Sequence, residues 1–127
     1  MSKVVYIVVN KDLNMSLGKT CAQVGHAIQY LCQRYLLIWC AHEKTPTEKT
    51  KKLISDYLEW SVEGLSTKIV LGADTKEFNK LKKSDLDPFI VTDAGKTEVE
   101  PGTETVLAFW PMEKDSNKLI KRLRLLC

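Results

Sequence analysis

Several things are missing from this sequence, and each absence removes a class of protein. No apolar run approaches the roughly 20 residues that a helix needs to span a bilayer. The stretch nearest the N-terminus, Val4 to Val9, is six residues long and ends at polar Asn10. It lacks the length and the small-residue cleavage site of a secretory leader, so a cytoplasmic location and no membrane partner are expected. The four cysteines, Cys21, Cys32, Cys40 and Cys127, contain no CxxC pair and match no zinc spacing. They read as small buried hydrophobes. There is no repeat, no low-complexity segment and no linker, so residues 1–127 are expected to form a single domain.

A complete phosphate-binding loop is also missing. Gly18-Lys19-Thr20 and Gly95-Lys96-Thr97 both look like the end of GxxxxGK[ST]. The position five residues before each glycine is Leu13 in the first case and Ile90 in the second. Neither can take the glycine's place in a nest of backbone N–H groups around a phosphate. The first stretch keeps a strand–loop–helix context, which leaves some anion affinity at the helix start.

What is present is ordinary in bulk: 127 residues, 44% hydrophobic and 28% charged, with a net charge of +3. That suits one globular domain with a real core. Basic residues gather in "NKLKKSD" and "NKLIKRLRLLC", which bring together Lys80, Lys82, Lys83, Lys118, Lys121, Arg122 and Arg124. Such clusters track phosphates or simply solvate a helix face.

The unbroken β-branched and aromatic run Val4–Val9 predicts a strand buried on both faces. A helix is expected from Lys19 to about Ala41. A second begins at "TPTEK", with Thr45 as N-cap, Pro46 in the first turn and Glu48 closing a capping box, and runs to about Glu63 before Gly64. Thr67–Leu71 reads as a strand, and Asp74 with Glu77 caps a third helix. Phe89–Thr92 and Glu104–Trp110 read as strands, and a last helix covers about Glu113–Lys121. The order is β-α-α-β-α-β-β-α, which favours a largely parallel sheet with helices on both faces. The last two strands are close enough in sequence to pair antiparallel.

Two groups of residues carry chemistry. On the first helix Lys19, Gln23, His26 and Tyr30 fall within about 60° of one another. Val24, Ile28, Tyr35 and Trp39 lie on the opposite side, which is the side expected to pack. The polar stripe then faces outward at the C-terminal end of the first strand, where open α/β sheets bind ligands. The second group is "DAGKTEVEPGTET", where Asp93 follows a strand directly and small turn residues let a ligand approach the backbone. A carboxylate there can orient water, and Thr97 and Thr105 can donate hydrogen bonds to a developing oxyanion. A solvated helix face and a simple hairpin loop remain the alternatives.

Taken together, "MSLGKTCAQVGHA" and "DAGKTEVEPGTETVLAFWP" resemble the two motifs of the peptidyl-tRNA hydrolases of the type typical of archaea and eukaryotes. The motifs occur in the right order, and the element order matches over nearly the whole chain. The resemblance implies a three-layer α/β/α sandwich with a mixed four-stranded sheet. It implies hydrolysis of the ester between a peptidyl group and the terminal ribose of tRNA, with no metal or organic cofactor. Matched by position, the site residues are Lys19, Gln23, His26, Asp93, Thr97 and Thr105. The expected partner is peptidyl-tRNA, and a homodimer is left open. Two other classes also remain open: a noncatalytic tRNA- or RNA-binding or regulatory domain of the same fold, and a hydrolase of another acyl ester.

Overall fold

A computed structural model describes residues 3–95 and 98–127. Strand β1 (Lys3–Asn10) is buried along its whole length, because its alternating side chains enter two separate cores. Val5, Ile7 and Val9 pack with Ala27, Leu31, Trp60, Val91, Val106 and Ala108. Val4, Tyr6 and Val8 pack with Leu71, Phe78, Leu81, Phe109 and Ile120. A strand with no solvated face needs an apolar run, here Val4–Val9 between the buried polar ends Lys3 and Asn10, and each fully buried aliphatic side chain contributes about 1.5–3 kcal/mol.

The helices divide between these cores. Helix α1 (Leu17–Lys44) and helix α2 (Glu48–Leu58), which continues into a π-helical turn (Glu59–Glu63), serve the first. Helix α3 (Thr75–Lys82) and the one-turn helix α4 (Lys118–Lys121) serve the second. Among the described residues no helix is long and apolar enough to cross a membrane.

The four expected strands do lie in one mixed sheet. Strand β1 pairs in parallel with β2 (Lys68–Ala73) and antiparallel with β4 (Glu104–Ala108). Strand β4 in turn pairs antiparallel with β3 (Phe89–Thr92). The sheet nevertheless has six strands rather than four, in the order β3-β4-β1-β2-β6, with β5 pairing to β1 off that path. Strand β5 (Met112–Glu113) lies against Lys3 and Val4, and β6 (Arg124–Leu125) lies against Leu71 and Gly72. Each has two residues, too few to show a period-2 pattern. Strand β4 ends at Ala108 rather than Trp110, but the Phe109 amide still donates to the Tyr6 carbonyl at 3.0 Å, and just past Pro111 the chain pairs with β1 again.

The helix boundaries differ in instructive ways. Helix α1 runs on to Lys44, and Thr45 leaves helical geometry at φ −140° and ψ 83°, as a residue before proline tends to. The α2 cap is therefore Thr47 rather than Thr45, and its capping-box partner is Thr50 rather than Glu48. The α3 box is the expected one, Asp74 with Glu77. The last helix shrinks to Lys118–Lys121 because Asn117 caps it by accepting from the amides of Leu119 and Ile120. The cysteines are not buried hydrophobes: Cys21, Cys40 and Cys127 are exposed and Cys32 is half-buried.

Two glycines test this packing with opposite signs. A Cβ on Gly64 would sit 2.7 Å from the Lys3 carbonyl oxygen and 2.8 Å from that of Trp60, whereas one on Gly25 in α1 would meet nothing within 4 Å. Gly64→Ala should cost about 1–3 kcal/mol by overpacking backbone. Gly25→Ala should add about 0.5–1 kcal/mol by removing unfolded-state freedom. The check is the urea midpoint of each variant at unchanged m-value; shifts in the same direction would contradict it.

Candidate active site

The site lies where β1 and β3 end. Strand β3 is antiparallel to β4, which is antiparallel to β1. The two strands therefore run the same way, and Asn10 and Asp93 leave the sheet at one edge. After β1 the chain makes a 3-10 turn (Lys11–Leu13), with Asn14 in the left-handed region at φ 50°. It then enters α1 through Ser16. The Ser16 hydroxyl oxygen accepts from the Lys19 amide at 3.2 Å, the usual N-cap bond.

Helix α1 does not turn its polar stripe to solvent as the spacing suggests. Its buried residues are Gln23, Ala27 and Leu31, so the packed face lies between the polar stripe and the expected apolar one. Trp39 and Cys21 are thereby left exposed. Lys19 and Gln23 form the polar end of the core stripe, while His26 and Tyr30 face solvent with their rings stacked at 6.3 Å. The physical reason is satisfaction of the glutamine amide. Gln23 Nε2 donates to Thr105 Oγ1 at 2.8 Å and to Asp93 Oδ1 at 3.3 Å, so the side chain can be buried at 2% exposure without an orphaned donor.

Asp93 gathers the rest. Its Oδ1 accepts from Lys19 Nζ at 2.5 Å, and its Oδ2 accepts from the Gly95 amide at 2.6 Å. Its backbone is fixed too: the Asp93 amide donates to the Thr103 carbonyl at 2.9 Å, and the Gly102 amide donates to the Asp93 carbonyl at 2.8 Å. Gly95 is required here, since its φ is +76° and a Cβ would run into the backbone of Pro101. Thr105 is fully buried; besides accepting from Gln23 it donates to the Val91 carbonyl at 3.3 Å. Its hydroxyl proton is thus engaged by the backbone.

Lys19, Gln23, Asp93 and Thr105 therefore meet in one cluster. His26 stands at its solvent side without a hydrogen bond to it among the described residues. Thr97, the sixth expected site residue, lies outside the described residues, as does Lys96. The sequence reading missed Glu98. Its Oε1 accepts from the Ser16 amide at 2.6 Å, and its Oε2 accepts from the Ser16 hydroxyl. This contact ties the Asp93 loop to the start of α1. Ser16 alone carried a signal, as a cap residue before a helix; a partner 82 residues away carries none.

The electrostatics follow from these contacts. The hydrogen bond from Lys19 holds the Asp93 carboxyl below the usual carboxylate range, and the Gly95 amide and the charges of Lys19 and His26 act in the same direction against desolvation. The Glu98 carboxyl is likewise lowered, first by the Ser16 hydroxyl and then by its amide. Asp93 is accordingly a charged, well-anchored anion beside a half-buried ammonium.

Known proteins resemble this chain over nearly its whole length. The family model described as peptidyl-tRNA hydrolase PTH2 matches residues 3–126. A protein of Methanocaldococcus jannaschii named peptidyl-tRNA hydrolase is 36% identical over 126 residues, covering 94% of this chain and 96% of the relative. One of the same name from Thermoplasma acidophilum is 33% identical over 132 residues, covering 99% of this chain and 100% of the relative. A third, from Sulfolobus acidocaldarius, is 32% identical over 110 residues and covers 83% of each chain. This chain belongs to the peptidyl-tRNA hydrolase PTH2 family.

The lowered Asp93 value has a definite pH signature. A carboxylate whose folded pKa is depressed contributes stability that is fully present above its unfolded value, about 3.9, and is lost as pH falls through the folded value. The stability difference between wild type and Asp93→Asn should therefore stay constant above about pH 5 and shrink only below about pH 4. Urea melts of both proteins across pH 3 to 8 check this. A difference that fails to shrink below about pH 4 would contradict a charged, depressed Asp93 carboxyl.

Proposed function

We infer that this chain is an enzyme that hydrolyses the ester joining a peptidyl group to the terminal ribose of tRNA, releasing free tRNA. The observation that carries the reading is the Lys19–Asp93 pair at the C-terminal edge of the sheet, in a chain of the peptidyl-tRNA hydrolase family. We read residues 1–127 as one peptidyl-tRNA hydrolase-like domain with α/β/α layering, supported by the two cores on opposite sides of β1. Its place of work is the cytoplasm, with translation.

An ester needs a positioned water and a stabilised oxyanion more than it needs a strong acid for its leaving group. Asp93 supplies the first. Its carboxylate already accepts from Lys19, Gln23 and Gly95, and a remaining lone pair holds the attacking water. Its lowered pKa makes it a weak base. Orientation and electrostatic support of a water that loses its proton as it attacks thus matter more than prior deprotonation. Lys19 supplies the second. One N–H binds Asp93, and the other two, with no partner among the described residues, can meet the oxyanion or the neighbouring phosphate.

Gln23 and Thr105 act through Asp93 rather than on substrate, because their protons are committed to Asp93, Thr105 and the Val91 carbonyl. His26, exposed beside the pair, is placed to meet the RNA. Thr97 keeps the oxyanion-donor role implied by its motif.

The test is release of free tRNA from a peptidyl-tRNA by the purified protein against an untreated control. Asp93→Asn should lower kcat by about 10²-fold or more with little change in KM. Thr105→Val should also act on kcat and leave KM unchanged, since it loosens Gln23 without touching substrate. Near-normal kcat in Asp93→Asn would remove the water-orienting role. Salt-dependent tRNA binding without turnover in wild type would favour a binding domain of the same fold.

A further inference from the structure

We propose that a trough along the C-terminal edge of the sheet binds the 3′ end of an RNA strand, leading from the Lys19–Asp93 pair over Leu17 to backbone phosphates held by Lys11, Arg122 and Arg124. The proposal rests on the peptidyl-tRNA reading above and adds the path of the RNA and the residues that hold it.

Two cavities form the trough. One, of about 440 Å³, lies between the end of β1 and the first turn of α1, with Val9, Asn14, Met15, Leu17 and Thr20 in its walls. Thr20 follows Lys19 directly but points about 100° round the helix from it, so this cavity flanks the first turn of α1, the turn that carries Lys19. The second, of about 330 Å³, is walled by Lys11, Gly72, Arg122, Leu123 and Arg124. Lys11, Leu126 and Cys127 border both, so the two cavities adjoin.

The chemistry changes along the path in the order an RNA end requires. Near the catalytic pair the walls are largely apolar. Leu17 is 82% exposed on the first turn of α1, beside Met15 in the wall of the first cavity. Unpaired terminal nucleotides present ribose and base faces that such a surface can cover. Farther out, three exposed cations converge on the second cavity. The acidic side chain in its wall, Glu77, is turned back to its own helix, where Oε1 accepts from the Asp74 amide at 2.9 Å. Cations grouped around a groove that leads away from an ester-cleaving pair fit the phosphodiester backbone beyond the unpaired end.

The experiment compares a peptidyl-tRNA with a short substrate, the 3′-(N-acylaminoacyl) ester of adenosine, which reaches the catalytic pair but not the cations. Lys11→Gln combined with Arg124→Gln should raise KM for peptidyl-tRNA about 10-fold near 0.15 M salt. It should leave kcat within two-fold and lower the slope of log affinity for deacylated tRNA against log salt by about two. Turnover of the short ester should not change. Leu17→Ser should raise KM for both substrates. Lys44→Gln, at the far end of α1 and about 38 Å away by helix rise, should match wild type throughout. Wild-type KM and salt slope in the double variant would overturn the trough. If wild type cleaves neither substrate while the double variant still loses tRNA affinity and salt slope, the trough stands and the hydrolase reading falls.

Discussion

The double burial of β1 is the constraint on which everything else depends. A strand with side chains in two cores must have partners on both edges and helices over both faces, and β1 has β2, β4 and β5 alongside it. Its burial continues to Asn10, the last residue before the 3-10 turn. The chain must leave the interior there, and the N-terminus of α1 has to start close by. The position of Lys19 is thus a by-product of how the core is closed. The same sheet delivers Asp93, because β3 reaches the same edge two strands away.

Much of the fold was legible because its signals are local. The Val4–Val9 run, the Asp74–Glu77 box, and Pro46 as a helix boundary each act within a few residues. Even so, Thr45 serves as the end of α1 rather than the start of α2, since proline restricts the residue before it more firmly than threonine attracts a helix. Strands β5 and β6 were not legible, because each exists only by lying against a neighbour. In the site, Lys19 and Asp93 could be paired from strand direction and from the family resemblance. The burial of Gln23 could not, since a glutamine enters a core only when its partners are known. The Ser16–Glu98 contact had no trace in the sequence at all.

The cluster also shows how one arrangement limits the chemistry it supports. Three donors converge on the Asp93 carboxylate and hold it rigidly. Two of them, Lys19 first and then the Gly95 amide, also lower its affinity for a proton. Rigidity and basicity are exchanged against each other, and an ester, which is more reactive than an amide, tolerates the exchange. Thr105 and Gln23 extend the rigidity inward to the Val91 carbonyl, so the anion is braced against the sheet itself.

The Lys19–Asp93 pair joins residues 74 positions apart, and the Gln23–Thr105 bond spans 82. During synthesis α1 can form long before β3 and β4 exist, but the centre cannot appear until both have docked beside β1. Loop closure over such distances comes late in folding. While it is being made, this protein is itself a peptidyl-tRNA. If that pair cuts the bond, as proposed above, the enzyme does not acquire the ability to cut that class of bond until its own synthesis has run well past Asp93.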